Sequence, residues 1–150
     1  MLKLSKKTLY AIEAVVDVAY HMGPQPVQSR DITRRQGIPR RYLEQALQQL
    51  VRAGILIGMR GPKGGYRLAR ERRRISVGEI VRAVAGDEAD DLTDNSDGSD
   101  LAVRVVRPLW ARLRDEAMAR LDDTIIDDLC SAANKAGVES EGQPNLDFII

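Results

Sequence analysis

The chain has 150 residues, of which 43% are apolar and 30% are charged. This composition is typical of a folded, water-soluble domain and excludes an intrinsically disordered chain. No stretch approaches the roughly 18 apolar residues of a membrane-spanning helix. The only cysteine, Cys130, excludes an intrachain disulfide and a multi-cysteine zinc site, and it favours a location in the reducing cytoplasm.

The net charge of +1 conceals an uneven distribution along the chain. Residues 1–75 contain 16 lysines and arginines against 5 acidic residues, whereas residues 76–150 contain 7 against 17. A basic block of this size predicts that the first half binds a polyanion. The alternative interpretation is that the two halves attract each other.

Three helices are predicted in the first third of the chain. The first runs from Lys6 to about Met22, with Ser5 as its cap. The second covers Ser29 to Gln36, and the third extends from Pro39 to Ala53. One side of the third helix is apolar, and the other side carries arginine, glutamate and glutamine.

The apolar period then changes from about 3.6 residues to about 2, which predicts two strands. Ile55 to Met59 and Tyr66 to Leu68 alternate in this way, and the segment Gly61-Pro62-Lys63-Gly64-Gly65 between them is typical of a hairpin turn. Ser76 to Glu79 form a capping box, which predicts a fourth helix that ends at Gly86.

The second half is predicted to contain an acidic linker, two helices and a tail. Residues 87–100 include 7 acidic residues, and we expect this linker to be mobile. Helices are expected within residues 101–137, where Pro108 either kinks the longer one or marks its start. Its predicted apolar stripe consists of Leu101, Val105, Leu109, Leu113 and Met118 or Leu121. Residues 138–150 form a tail that is polar until its apolar end.

The predicted fold is mainly α with a small β-hairpin wing, a winged helix-turn-helix domain over residues 1–86. The outer face of the third helix suits the major groove of DNA. There Glu44 can accept a hydrogen bond from cytosine, Gln45 can pair with adenine, and Arg40 or Arg41 can pair with guanine or phosphate. Tyr42 can reach the sugar–phosphate backbone. The alternative is an ordinary solvated helix face.

The hairpin tip strengthens the prediction of DNA binding. Arg60 and Lys63 lie beside glycines, where the backbone can approach a phosphate or the minor groove closely. Behind the tip we expect further arginines to extend the cationic surface, at positions 67, 70, 72, 73 and 74. The complete predicted DNA-binding set is Gln28, Ser29, Arg40, Arg41, Tyr42, Glu44, Gln45, Arg60, Gly61, Lys63, Gly64, Gly65 and Tyr66.

Several of these segments resemble a known family. Tyr42-Leu43-Glu44-Gln45, the stretch Arg60 to Leu68, and the opening Leu4 to Ala11 are similar to the Rrf-two (IscR/CymR-type) family of bacterial transcription regulators. The similarity resumes at Leu109 to Asp115 and continues through Leu129. The resemblance implies a homodimer held by the long C-terminal helix, with two winged domains that bind a pseudo-palindromic operator.

The resemblance also bears on cofactors. Many relatives carry closely spaced cysteines in the region of residues 87–100 and bind an iron–sulfur cluster, but this segment contains neither cysteine nor histidine. We therefore predict no cofactor and no metal site. Cys130 and His21 from two chains are the only alternative thiol and imidazole ligands, and a redox or iron–sulfur-dependent regulator is the alternative function.

The branch without these cysteines resembles the CymR-type repressors of cysteine metabolism. In that branch, a free C-terminal isoleucine resembles the peptide captured by O-acetylserine sulfhydrylase (cysteine synthase). The tail is thus predicted to bind that enzyme, with a terminal carboxylate that imitates an amino-acid substrate; the candidate residues are Asp147, Phe148, Ile149 and Ile150. The alternative is that these residues fold back onto the core.

An enzymatic function is not predicted. The single histidine and single cysteine lie far apart in the sequence, and there is no nucleophile motif. The glycines at positions 61–65 do not form a phosphate-binding loop, because no strand-to-helix transition follows them. The sequence predicts a cytoplasmic DNA-binding repressor of cysteine or sulfur metabolism genes.

Overall fold

The computed structural model describes residues 5–85 and 98–142. The elements, in chain order, are α1 (Lys6–Tyr20), α2 (Ser29–Gln36), α3 (Arg40–Arg52), β1 (Leu56–Met59), β2 (Gly65–Leu68), a 3-10 turn (Arg72–Arg74), α4 (Val77–Ala85), a π-helical turn (Ala102–Val106), α5 (Arg107–Asp123) and α6 (Ile126–Lys135).

Helix α1 is the centre of the core. Its buried side is built of small and β-branched residues, with Ala11, Ala14 and Val15 fully inaccessible to solvent. Because these side chains are short, α3 and α4 can pack closely against the same helix. Leu43, Leu47 and Leu50 of α3 lie in this core, at the spacing that the sequence predicted.

Strands β1 and β2 form an antiparallel hairpin in which Leu56 pairs with Leu68 and Met59 pairs with Gly65. The hairpin is also tied to the segment before α2, since the Val27 and Tyr66 backbones donate to each other at 3.0 and 2.7 Å. This pairing fixes the hairpin beside the beginning of α2.

Helix α4 begins with the predicted capping box. The Glu79 amide donates to the Ser76 hydroxyl at 3.2 Å, and the Glu79 carboxylate accepts from the Ser76 amide. Pro108 lies in the first turn of α5, directly after the π-helical turn. Proline has no N–H and its ring collides with the carbonyl four residues earlier, which explains the wider turn at this point.

Helix α6 packs in the same core as the first four helices. Ile126 and Cys130 are buried together with α1 residues. Two backbone hydrogen bonds also join the start of α4 to the connection between α5 and α6: Val77 N–H donates to Thr124 O, and Ile126 N–H donates to Ile75 O. The C-terminal helices are therefore anchored directly to the first half of the chain.

The predicted fold class is confirmed: residues 5–85 and 98–142 are mainly helical, with one two-stranded hairpin and a long C-terminal helix. One detail differs. The predicted apolar stripe of the long C-terminal helix is not covered along its whole length. Met118 and Leu121 pack on the core, whereas the other members remain exposed: Leu101, Val105, Leu109 and Leu113.

Parts of two predictions fall outside the described residues: most of the acidic linker, and the apolar tail end with Asp147, Phe148, Ile149 and Ile150. In the part of the chain that is described, no helix has both the length and the apolar character needed to cross a membrane.

Candidate nucleic-acid interface

An open cleft of about 800 Å³ separates the hairpin from the helix-turn-helix. Eight of the thirteen predicted DNA-binding residues line this cleft: Gln28, Ser29, Arg40, Arg60, Gly61, Gly64, Gly65 and Tyr66. Sequence reasoning missed five others, namely Arg30, Thr33, Gly58, Met59 and Pro62. Thr33 lies one helical turn after Ser29, so helical spacing from Ser29 could have identified it.

The N-terminal end of α2 faces this cleft. Gln28 precedes the helix and Ser29 and Arg30 form its first turn. The first amides of a helix have no partners within it and carry a partial positive charge, which favours a phosphate oxygen. With the exposed Arg30 side chain beside them, they present the donors and the positive charge that a phosphate group requires.

Glycines allow the hairpin to approach α2. A Cβ atom on Gly65 would overlap the Val27 carbonyl, and one on Gly64 would overlap the carbonyl oxygen of Met59. Gly61 has φ 110°, a conformation that L side chains rarely adopt. The turn therefore requires glycine at these positions, and it presents Arg60 and Lys63 on an exposed tip.

The remaining predicted residues project from the start of α3. Glu44 and Gln45 are exposed, next to buried Leu43 and Ala46. The Arg40 Nε donates to Glu44 at 3.0 Å, but the Arg40 side chain is 86% exposed. An ion pair in water contributes little, so both groups stay available to DNA.

Tyr42 is placed against a neighbouring helix. Its ring lies 6.1 Å from the ring of Tyr10 in α1, and the Arg41 guanidinium lies 5.5 Å from the Tyr42 ring centre. These contacts attach the first turn of α3 to α1 and hold Arg41 beside it. Neither Arg41 nor Tyr42 lines the cleft, and the same is true of Glu44, Gln45 and Lys63.

The expectation that five arginines behind the hairpin extend the DNA surface needs correction at three of them. Arg67 donates to the Pro24 carbonyl at 2.6 Å, Arg70 pairs with Glu79 at 3.0 Å, and Arg72 pairs with Asp127 at 2.7 Å. Each of these three cations has a partner in its own chain, whereas Arg73 is 79% exposed and its nitrogen lies 4.0 Å from the Asp127 carboxylate. The alternative interpretation of the charge division, attraction between the two halves, is therefore partly correct.

A buried ion pair supports the end of α2. The Asp17 side chain is fully buried and accepts from Arg35 at 2.7 and 2.9 Å and from Gln36 at 2.8 Å. The hydrogen bond to Asp17 holds the pKa of Arg35 above its usual range. Gly37, with φ 68°, follows at once and directs the chain into α3. The network thus fixes the turn between the two helices.

The sequence and the fold both match known transcription regulators. A profile of Rrf2, described as "Iron-dependent Transcriptional regulator", matches residues 4–132. The chain belongs to the Rrf2 family. It is accordingly a DNA-binding transcription regulator and not an enzyme, as the sequence predicted.

The similar proteins include regulators named IscR and regulators named CymR. The HTH-type transcriptional regulator IscR of Vibrio atlanticus is 39% identical over 131 residues, which are 85% of this chain and 75% of that protein. The structure of T. potens IscR has a TM-score of 0.73 and 36% identity and covers 90% of both chains. CymR, the global cysteine regulator of B. subtilis, has a TM-score of 0.69 and 31% identity over 88% of this chain and 98% of that one. Other Vibrio IscR sequences align over 54% of their own length.

The side chains of this chain do not fit an iron–sulfur cluster. Clusters are held by several thiolates, with histidine as a partial substitute in some types. Here the only thiol, Cys130, and the only imidazole, His21, are 3% and 8% exposed within the chain's own interior. They cannot meet the same side chains of a second copy without local unfolding. Within the described residues, no cluster of three potential metal ligands occurs.

Proposed function

We propose that the chain is a homodimeric regulator that binds a pseudo-palindromic operator, with α3 in the major groove and the hairpin on the adjacent backbone or minor groove. The cleft carries this proposal, because it places the amides of α2, the exposed Arg40 and the hairpin tip on one side of the molecule. In this arrangement residues 1–86 bind DNA, residues 87–100 connect and residues 101–137 dimerise.

The proposed DNA contacts are of two kinds: contacts to phosphates, which position the protein, and contacts to base edges, which recognise the sequence. Ser29, Arg30, Arg60 and Lys63 present amides and cations to phosphates, which fix orientation without reading sequence. Glu44 and Gln45 can form hydrogen bonds with base edges. Exposed apolar side chains on α5 supply the dimer contact, including Leu109, Trp110 and Leu113.

Substitutions at Gln45 and Lys63 should separate these two roles. Gln45→Ala is expected to lower the preference for operator over random DNA by about 1–3 kcal/mol at one base pair, because a bidentate base contact is lost. Lys63→Ala is expected to weaken both complexes and to reduce the salt dependence of binding by about one unit. Fluorescence anisotropy titrations at several salt concentrations measure both quantities. Equal losses on both DNAs for Gln45→Ala would contradict base reading by that side chain.

The signal that controls DNA binding has two candidates. The family description and the IscR relatives favour iron-dependent or redox-dependent regulation. The absence of cysteine from residues 87–100 and the similarity to CymR favour regulation of cysteine metabolism, with O-acetylserine sulfhydrylase as partner of the tail residues 138–150. We place the first candidate ahead, because the identity to the IscR structure is higher than the identity to CymR. Since the side chains of this chain do not fit an iron–sulfur cluster, such control would act without a cluster of the several-thiolate type.

One experiment distinguishes the candidates. Footprints of the anaerobically purified regulator on its own promoter region should be compared before and after chelator treatment, and before and after addition of the sulfhydrylase. A footprint that changes only with chelator supports iron-dependent control. A change only with the sulfhydrylase supports the second candidate, and deletion of Ile149 and Ile150 should then abolish it. No footprint under any condition would contradict the proposed function itself.

A further inference from the structure

The chain after α6 returns to the helix-turn-helix. Residues 138–142, here called the C-terminal strap, lie against the ends of α1 and α2. The Ser140 hydroxyl donates to the Tyr20 carbonyl at 2.8 Å, and the Tyr20 hydroxyl donates to the Val138 carbonyl. The strap thus closes a contact between residues more than a hundred positions apart in the sequence.

Glu141 connects the strap to the last turn of α2. Its carboxylate accepts from Arg35 at 2.9 Å and from Arg34 at 3.0 Å. The hydrogen bonds from Arg35 and then Arg34 hold the pKa of Glu141 below its usual range. Because Arg35 also binds the buried Asp17, the strap, α1 and the turn before α3 share one network.

His21 forms the contact that depends on protonation. The Glu141 amide donates to Nδ1 of His21 at 3.0 Å, so this nitrogen must be unprotonated while the strap is bound. Four charged groups face the imidazole: Asp17 of α1, with Oδ2 3.9 Å from Nε2, Arg34 and Arg35 of α2, and Glu141 of the strap.

The surroundings of His21 have opposite effects on its pKa. Burial is the largest effect and lowers the pKa of His21, the two arginines also lower it, and Asp17 and Glu141 raise it. A proton on Nδ1 would face the Glu141 N–H and remove the acceptor of that partly buried donor. Protonation is therefore unfavourable with the strap in place.

We propose that the C-terminal strap positions the helix-turn-helix for operator binding and that it detaches when His21 is protonated. With the strap detached, Arg34 and Arg35 lose Glu141, while Arg35 and Gln36 keep their hydrogen bonds to Asp17. The end of α2 is then held by fewer contacts. The angle between α2 and α3 is then less firmly fixed, so operator binding weakens. Binding to random DNA, which needs only cations near phosphates, does not weaken with it.

The direction of the pH effect follows from linkage. Burial lowers the pKa of His21 in the strap-bound state. A histidine whose pKa is lower in the bound than in the detached state stabilises the bound state above its ordinary pKa of about 6.5, and the stabilisation is lost as the pH falls below that value. Between high and low pH, the equilibrium constant for attachment of the strap changes roughly tenfold for each unit by which the pKa of His21 differs between the attached and detached states.

Two variants of the full chain isolate the strap. In His21→Asn, the amide oxygen can replace Nδ1 as acceptor but cannot take up a proton. In Gly142→Ala, the added Cβ would overlap the carbonyl oxygens of His21 and Met22, which displaces the strap without a change of charge. Neither residue lines the DNA cleft.

The direct test uses NMR on protein without a histidine tag, in which His21 is the only imidazole. We expect a lower His21 pKa in the wild type than in Gly142→Ala. The Glu141 amide should exchange slowly at pH 7.5 in the wild type and in His21→Asn, and rapidly in Gly142→Ala. Equal His21 pKa values in the wild type and Gly142→Ala would overturn the proposal.

Operator titrations at pH 5.5 and 7.5 test the consequence. The wild type should bind operator several-fold more weakly at pH 5.5, His21→Asn should show no such change, and Gly142→Ala should bind weakly at both pH values. The same pH dependence in His21→Asn, or a parallel loss on random DNA, would overturn the role in operator binding. The NMR measurements need no DNA, so they separate failure of the strap from failure of the proposed function.

Discussion

Leu109→Glu is expected to separate the dimer and to lower operator affinity by about 10²–10⁴-fold, because the second winged domain no longer binds as a linked partner. Leu109 is 52% exposed and belongs to an apolar face of α5 with Leu113 and Trp110. A carboxylate in the centre of such a contact would have to be dehydrated without a partner. Sedimentation of the variant gives its oligomeric state, and anisotropy titration gives its affinity.

The control for this variant is Asp115→Lys, which changes the charge of α5 at a side chain that is 76% exposed. It should leave the dimer intact. Both variants should keep the helical circular dichroism spectrum of a folded chain, since neither side chain is buried within its own chain. A dimeric Leu109→Glu variant with unchanged operator affinity would exclude this face of α5 as the dimer contact.

Asp17→Ala is expected to reduce the free energy of unfolding by about 3–5 kcal/mol, the usual cost of removing one partner of a buried ion pair. The Asp17 side chain is fully buried, and the Arg35 side chain is only 12% exposed. Without Asp17, the guanidinium keeps its burial but loses two hydrogen bonds, and Gln36 loses its acceptor. Urea denaturation, monitored by circular dichroism, measures the change.

Arg70→Ala is the matched control for Asp17→Ala. It also removes an arginine–carboxylate pair, but Arg70 and Glu79 are each 39% exposed, so we expect a loss of at most about 1 kcal/mol. Losses of equal size in the two variants would show that burial does not set the strength of the Asp17–Arg35 pair. Because Asp17 supports the turn before α3, its variant should also bind operator more weakly.

Much of the fold could be predicted because local signals agree with the tertiary structure. The limits of α2 are those that the sequence predicted, since Gly37 supplies the left-handed residue that ends a helix. The capping box of Ser76 and Glu79 forms as predicted. The glycines of the hairpin indicated a tight turn before any coordinates did, because few other residues fit positive φ.

The C-terminal half was harder to predict from periodicity. The sequence predicts one continuous apolar stripe on α5. In the structure, however, Leu121 is partly buried against the core, while Leu109 remains exposed. Periodicity shows that a face is apolar, but it contains no information about what covers that face. The π-helical turn before Pro108 was expected only as a kink or a helix start.

Charge was the least reliable guide. Net charge over a segment counts each arginine equally, whereas the structure separates Arg60 at the hairpin tip from Arg72, which pairs with Asp127 at 2.7 Å. The partner of an arginine is set by contacts between residues distant in sequence, and composition cannot supply them. For this reason the sequence overestimated the cationic surface behind the hairpin at Arg67, Arg70 and Arg72.

The sequence by itself determined the family, the winged helix-turn-helix and the chemistry offered by α3 and the hairpin, because caps, turns and helical faces depend on neighbours a few residues apart. Only the tertiary structure showed that Arg30 and Met59 line the cleft and that Asp17, His21 and Glu141 meet at the end of α2. These groups are brought together by the packing of α1, α2 and the strap. The hydrogen bonds among them, and the burial that lowers the pKa of His21, exist only in that packed arrangement.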